Sequence, residues 1–178
     1  MKKVRGPKIL HLATHGFFLP DDHPEGMPGD ASAPAPSENP MLRSGLVFSG
    51  ANKLRSGDDD GLLTALEASG LDLEGTKLVV MSACETGVGK VTNGDGVYGL
   101  RRSLVIAGAE SLVMSLWQVD DFATKELMSG LYKGLADGKP RSAALRDTQI
   151  KLLTNPKYAH PFYWAAFVGA GATTPIKD

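Results

Sequence analysis

Residues 78–87 read Leu-Val-Val-Met-Ser-Ala-Cys-Glu-Thr-Gly, an apolar run that leads directly to Cys84, the one cysteine of the chain. A short apolar run without polar alternation is typical of a β-strand that is covered on both faces. A glycine turn follows, and a side chain at such a strand end, here that of Cys84, is expected to be exposed. The stretch therefore predicts a buried strand with Cys84 just beyond its carboxyl end.

The rest of the chain alternates between strand and helix patterns. Further strands are predicted at residues 8–14, 46–48, 112–117 and 164–168. Helices are predicted to begin at Thr64, Asp95 and Pro140, and residues 127–135 have the apolar spacing of an amphipathic helix. This alternation predicts an α/β fold with a mostly parallel sheet. In such sheets functional groups gather at the carboxyl ends of the strands.

Composition excludes several functional classes. The chain has 178 residues, a net charge of −1 and 42% apolar residues, as expected of one globular domain without a nucleic-acid-binding basic surface. No apolar run approaches the roughly 20 residues that cross a bilayer, and the N-terminus lacks the pattern of a secretory signal. A single cysteine excludes an internal disulfide and a cysteine-based zinc cluster. We therefore predict a cytoplasmic protein with no metal, cofactor, membrane or nucleic-acid partner.

One long irregular segment interrupts the pattern. Six of the eleven prolines lie between Pro20 and Pro40, together with acidic residues and no lysine or arginine. Loops this long inside a domain are usually functional or disordered. We interpret residues 20–44 as a mobile, Pro-rich surface loop within a single domain spanning residues 1–178.

Cys84 and His15 form the predicted catalytic pair. Each follows an apolar strand and precedes a glycine turn, so both are expected at the same edge of the sheet. A Cys–His pair supports thiolate attack on a carbonyl carbon, with the imidazole protonating the leaving amine. The N–H groups of Gly16 and Cys84 are the predicted oxyanion donors. An inert buried thiol is the alternative interpretation of Cys84.

The other histidines have weaker signals. His11 is expected to share a strand face with Ala13 and His15, and we interpret it as structural. His23 and His160 have no visible partner. A phosphate loop at residues 87–92 is disfavoured because Cys84 and Val91 stand where the Walker pattern requires glycine and serine or threonine. A cysteine phosphatase is disfavoured because Lys90 stands where bidentate phosphate binding requires arginine.

Several motifs in order resemble the CHAT family, a group of caspase-like domains related to separase and often attached to tetratricopeptide repeats. The resemblance covers residues 8 to about 170. It rests on the segments at 11–16, 63–65, 71–73, 82–87, 94–96, 107–109, 115–121, 143–146 and 160–167.

The resemblance implies a caspase-like three-layer α/β/α sandwich and a cysteine peptidase with Cys84 and His15 as its dyad. The strand that bears His15 begins near the start of the chain, so we expect the C-terminal portion of a CHAT domain that lacks leading sheet strands. Such an open sheet edge is prone to pairing. The expected partners are a protein or peptide substrate, a tetratricopeptide-repeat region, a completing chain, or a second copy in a homodimer.

Three further residues are predicted to bind substrate. Trp117, Asp120 and Asp121 follow the strand that begins near residue 112, which places them beside Cys84. A carboxylate there could select a basic residue at the cut, as in separase-like relatives. The alternative interpretations are that an aspartate caps the next helix and that Trp117 belongs to the core. At the level of function, the alternative is a catalytically silent CHAT-like module that binds partners.

Overall fold

The fold is given by a computed structural model, which describes residues 3–19, 40–53, 60–82, 84–85 and 95–176. Within these ranges the strands are β1 (Ile9–Leu12), β2 (His15–Phe18), β3 (Ser44–Val47), β4 (Leu62–Thr64), β5 (Leu78–Met81), β6 (Cys84–Glu85), β7 (Ser111–Ser115) and β8 (Phe167–Gly171). The α-helices are α1 (Ala65–Ser69), α2 (Asp95–Ile106), α3 (Asp121–Ala136), α4 (Arg141–Leu153) and α5 (Pro161–Trp164).

The main sheet has the strand order β1-β5-β7-β8. β1, β5 and β7 run parallel, and β8 pairs with β7 in the antiparallel direction. All four residues of β5 are buried, because a central strand covered on both sides needs apolar side chains on both faces. The predicted α/β fold with a mostly parallel sheet is confirmed.

Helices cover both faces of the main sheet. On one face Val79 packs with α1 and α2, including Leu104. On the other face Val80 packs with α3 and α4, including Leu131. Neighbouring side chains along a strand point to opposite faces, so each central strand contributes to two cores. The result is the predicted three-layer α/β/α sandwich.

A second sheet continues the main sheet at its carboxyl edge. β1 leads into β2 and β5 leads into β6 after short interruptions. The order of the second sheet is β4-β3-β2-β6, with β2 antiparallel to β3 and parallel to β6. At the first interruption the Thr14 hydroxyl donates a hydrogen bond to the Val47 carbonyl, which ties the bend to β3. The predicted strand near residues 46–48 is confirmed, with antiparallel neighbours on both sides.

The helix start predicted at Thr64 is confirmed, and a capping box forms there at the start of α1. Thr64 Oγ1 accepts a hydrogen bond from the Glu67 backbone N–H at 3.2 Å. Glu67 Oε2 accepts one from the Thr64 backbone N–H at 2.9 Å. Two N–H groups that the helix cannot satisfy internally are thereby bonded.

Three predicted strand boundaries are wrong. His15 and Gly16 do not end the first strand but begin β2, and β7 ends at Ser115, before Trp117. Trp164 lies in α5, and the last strand begins at Phe167. The helical turn forms because Pro161 stands in its first turn and the His160 side chain accepts a hydrogen bond from the Phe162 N–H.

The predicted loop at residues 20–44 falls mostly outside the described residues. Its last part includes a short 3-10 helix, Pro40–Leu42, and the first residue of β3. Among the described residues, no helix combines the length and apolar character that a bilayer span requires.

Candidate active site

The backbone of the second sheet brings His15 and Cys84 side by side. β2 and β6 are parallel neighbours, and their Cα register pairs His15 with Cys84 and Gly16 with Glu85. Both positions lie just past β1 and β5, which are themselves adjacent in the main sheet. Neighbouring strands lie about 4.8 Å apart, so the two positions occupy adjacent backbone sites.

Gly16 is buried in β2, which pairs with β3 on one side and β6 on the other. The register places Gly16 opposite Leu46 of β3 and Glu85 of β6. This position is directly next to the paired His15 and Cys84. The oxyanion role of the Gly16 and Cys84 N–H groups stays a prediction.

A cavity of about 420 Å³ opens beside His15. It lies between the carboxyl ends of the strands and the first two turns of α3. The lining residues are His11, Ala13, Thr14, His15, Ser82, Asp121, Thr124, Lys125 and Met128. His11, Ala13 and His15 all line this cavity, but Thr14 lines it too, because the strand is interrupted between Leu12 and His15 and the expected alternation does not hold there. In parallel α/β folds, ligands bind at this edge of the sheet.

The two predicted substrate aspartates have different environments. Asp120 precedes α3, and its Oδ1 accepts a hydrogen bond from the Ala123 N–H at 2.8 Å. The interpretation of one aspartate as a helix cap is therefore confirmed for Asp120. Asp121 is the first residue of α3, and it lines the cavity that His15 lines. The structure brings Asp121 to the candidate site and gives Asp120 a structural role next to it.

Trp117 lies at the surface and does not line the cavity. Its side chain is 36% exposed, so its interpretation as a core residue is wrong. Its indole Nε1–H donates a hydrogen bond to the Phe162 carbonyl at 3.3 Å. Phe162 and Phe122 are also exposed, Phe122 by 71%, and Phe122 directly follows Asp121. An aromatic surface therefore adjoins the start of α3.

His11 has two side-chain partners that the sequence did not reveal. Tyr132 OH lies 2.9 Å from His11 Nδ1, and Ser82 Oγ lies 3.4 Å from His11 Nε2. Partial burial against α3 lowers the pKa of His11, because it disfavours the charged imidazolium. Burial raises the pKa of the Tyr132 hydroxyl for the same reason. Both groups are therefore held in their neutral forms near pH 7.

Sequence reasoning missed the α3 side of the site. Thr124 and Lys125 line the cavity, yet nothing in the local pattern of α3 distinguishes them from other polar helix residues. Their one available signal is position, since the first turns of a helix that follows a parallel strand face the carboxyl edge of the sheet. His160, which had no visible partner, caps α5 through its Nδ1. Across the described ranges, no group of His, Cys, Asp and Glu is arranged to hold a metal ion.

The fold is an α/β/α sandwich with a mostly parallel sheet. The carboxyl edge of this sheet brings a histidine and a cysteine position together. This is a caspase-like architecture. The model of the CHAT domain matches residues 1–172 of this chain. The chain belongs to the CHAT domain family, which is related to the caspase-like peptidases.

The curated relatives are much longer proteins. Tetratricopeptide repeat protein 28 of Homo sapiens is 36% identical over 117 residues, which cover 66% of this chain and 5% of the relative. Tetratricopeptide repeat protein 28 of Mus musculus is 28% identical over 188 residues, which cover 100% of this chain and 8% of the relative. The chain thus spans less than a tenth of their length. These names agree with the expected association of the domain with tetratricopeptide repeats.

Proposed function

We propose that the protein is a cysteine endopeptidase that hydrolyses peptide bonds through Cys84 and His15. The observation that carries this proposal is the register of β2 and β6, which pairs the two positions across adjacent strands. The cavity beside His15 gives space for a peptide at that point. Membership of a family related to caspase-like peptidases supports the same chemistry.

The proposed reaction has two steps. The Cys84 thiolate attacks the carbonyl carbon of the peptide bond, and the C–N bond breaks as His15 donates a proton to the leaving amine. The acyl group is then held on sulfur as a thioester. His15 next accepts a proton from water, whose oxygen attacks the thioester carbonyl and releases the thiolate. The net change is the addition of one water molecule across the peptide bond.

Asp121 supplies the proposed substrate preference. Its carboxylate lines the cavity beside His15, where it can attract the side chain of lysine or arginine in the substrate. Asp120 is bonded to the helix backbone and does not have that freedom. We expect cleavage next to a basic residue. Trp117 and the neighbouring exposed aromatic side chains would contact the substrate outside the cavity.

A catalytically silent binding module is the second candidate function. Its support is that the curated relatives are repeat proteins of which this chain matches a small part. In that case the cavity would bind a partner peptide without cleaving it. The two functions differ in whether Cys84 is reactive.

Alkylation of Cys84 distinguishes the two functions. The chain has one cysteine, so iodoacetamide labelling reports on that residue alone. The peptidase requires fast labelling with an apparent thiol pKa well below 8.5, and slower labelling in His15→Ala. His160→Asn is the matched control, because asparagine can retain the cap of α5 outside the site.

Cleavage of a library of unstructured peptides completes the test. The peptidase should cut next to lysine or arginine, and Cys84→Ala and His15→Ala should abolish cutting. Slow labelling of the wild-type thiol together with peptide binding would favour the silent module. Cleavage that persists in both variants would exclude the dyad.

A further inference from the structure

Three side chains from three separate elements meet on one wall of the cavity. His11 comes from β1, Tyr132 from α3, and Ser82 from the residue just after β5. The His11 ring contacts Tyr132 through Nδ1 at 2.9 Å and Ser82 through Nε2 at 3.4 Å. The two rings also pack together, with centroids 5.7 Å apart. The imidazole therefore uses both ring nitrogens and joins the helix to the sheet.

Ser82 is fixed to β1 by its backbone as well as by its side chain. Its N–H donates a hydrogen bond to the Leu12 carbonyl at 3.0 Å. Its hydroxyl lies against His11, the residue before Leu12. Cys84 follows two positions after Ser82. The segment that leads to the cysteine is thus held at its start by two neighbouring residues of β1.

We propose that His11 is a positioning residue that orients the segment bearing Cys84 toward His15. Tyr132 fixes the ring plane of His11, and His11 in turn fixes the hydroxyl of Ser82. The role rests on the proposed peptidase function, but the contacts that produce it do not involve the substrate. His11 in β1 lies four residues before His15 in β2, so consecutive strands carry the positioning residue and the proposed proton donor.

The charge state of His11 agrees with this role. The charged and titratable groups that line the same cavity are His15 from β2 and Asp121 and Lys125 from α3. Partial burial lowers the pKa of His11, so the ring is neutral at pH 7. A neutral His11 adds no positive charge beside His15.

The test compares His11→Ala, His11→Gln, Ser82→Ala and Tyr132→Phe with the wild-type chain. We expect His11→Ala and Ser82→Ala to lower kcat for peptide cleavage at least tenfold with KM changed less than twofold. The Gln amide can still donate to Ser82, so His11→Gln should recover part of that loss. The double variant of His11 and Ser82 should be no worse than either single variant, because the two residues act as one unit. Tyr163→Phe is the matched control for loss of a tyrosine hydroxyl.

Amide hydrogen exchange tests the positioning role independently of catalysis. Exchange in residues 82–85 should be at least tenfold faster in His11→Ala and Ser82→Ala than in wild type, while Tyr163→Phe leaves it unchanged. Unchanged exchange in the first two variants would overturn the proposal even if the chain cleaves peptides. Faster exchange in a chain whose wild type neither cleaves peptides nor labels rapidly would contradict the peptidase function and leave the positioning role intact. A loss of activity that raises KM and leaves kcat unchanged would also overturn the positioning role.

Discussion

Two adjacent aspartates at the start of α3 have different environments although they differ by only one position in the chain. Asp120 bonds the Ala123 N–H and begins the helix, whereas Asp121 lines the cavity beside His15. Asparagine caps a helix about as well as aspartate, so Asp120→Asn should have little effect. Asp121→Asn removes the one negative charge that the cavity lining contains among the described residues. A charged hydrogen bond contributes about 1.5–3 kcal/mol, so kcat/KM for a lysine- or arginine-containing peptide should fall roughly 10- to 100-fold.

The measurement compares kcat/KM for two peptides. One has lysine or arginine at the cleavage position, and the other has norleucine there. Asp121→Asn should lower the first value and leave the second nearly unchanged. Equal losses for both peptides would show that Asp121 does not select the substrate. Asp120→Asn controls for charge at the same helix end.

The placement of residues was predictable where the sequence signal is local. Cys84 and His15 each stand between an apolar run and a glycine, and parallel strands bring such ends together. The partners of His11 were not predictable, because Tyr132 and Ser82 are distant in sequence and reach it only through tertiary packing. Which of Asp120 and Asp121 caps α3 was also visible only in the structure, since either residue can cap a helix.

At the scale of elements, the Thr64–Glu67 capping box determines where α1 begins. α1 has five residues, too few to be stable without its caps and packing. Thr64→Ala removes the hydroxyl that bonds the Glu67 N–H, and it should lower the free energy of unfolding by about 1 kcal/mol. Urea denaturation measures this as a lower midpoint with an unchanged slope. Thr64→Ser keeps the hydroxyl and should retain most of the stability; an equal loss in both variants would contradict the capping role.

The crossing of α3 and α4 depends on glycine at position 130. A Cβ added to Gly130 would lie 2.6 Å from Thr148 Oγ1 and 2.7 Å from Thr148 Cγ2. Alanine favours a helix by about 1 kcal/mol over glycine, but this close contact should outweigh that gain. We expect Gly130→Ala to lower the thermal midpoint, because the β-branched Thr148 cannot rotate freely in a helix.

Thr148→Ala supplies the matched partner for this prediction. In the double variant the clashing atoms of Thr148 are absent, so Gly130→Ala should cost less there than in the wild-type background. The coupling is the difference between the two costs, measured by thermal denaturation. Additive effects would mean that the helices separate without resisting the added methyl group.

Element types followed from the sequence more closely than element boundaries did. The buried run at 78–81 and the capping box at Thr64 are local signals, and both are present in the structure. The second sheet was not foreseen, because it forms only when β2 resumes after β1 and pairs with β3 on one side and β6 on the other. The helical turn at α5 was missed because the apolar residues 164–168 resemble a strand and outweighed the signal of Pro161.

Across the whole molecule, the candidate site and an ion-pair network lie at opposite ends of the main sheet. Glu110 precedes β7 at the amino edge, where its Oε1 accepts from Lys77 at 2.5 Å and its Oε2 from Arg141 at 3.2 Å. Arg141 is buried, and it also donates to Ser111 Oγ at 3.1 Å. One carboxylate therefore connects the starts of β5 and α4 to the start of β7.

The last prediction concerns the pH dependence of this network. The hydrogen bond from Lys77, with the nearby charge of Arg141, holds the pKa of Glu110 below its usual value of 4.5. A lowered folded-state pKa stabilises the fold above the unfolded pKa, and this stabilisation is lost as the pH falls through the folded value. Glu110→Gln should therefore lower the urea midpoint at pH 7. Its difference from wild type should shrink as the pH falls below 4.5 and through the lowered pKa of Glu110, since wild type loses the same interaction there.

Asp147→Asn is the matched control, because its pair with Lys139 is exposed on both sides and contributes little to stability. It should shift the midpoint at pH 7 less than Glu110→Gln does, since Glu110 also balances a buried guanidinium. Neither substitution touches the carboxyl edge of the sheet, so cleavage kinetics and Cys84 labelling at pH 7 should match wild type. A midpoint difference that stays constant from pH 7 to pH 3 would show that Glu110 acts by packing rather than by charge. Slower labelling of Cys84 in folded Glu110→Gln would show that the two edges of the sheet are coupled.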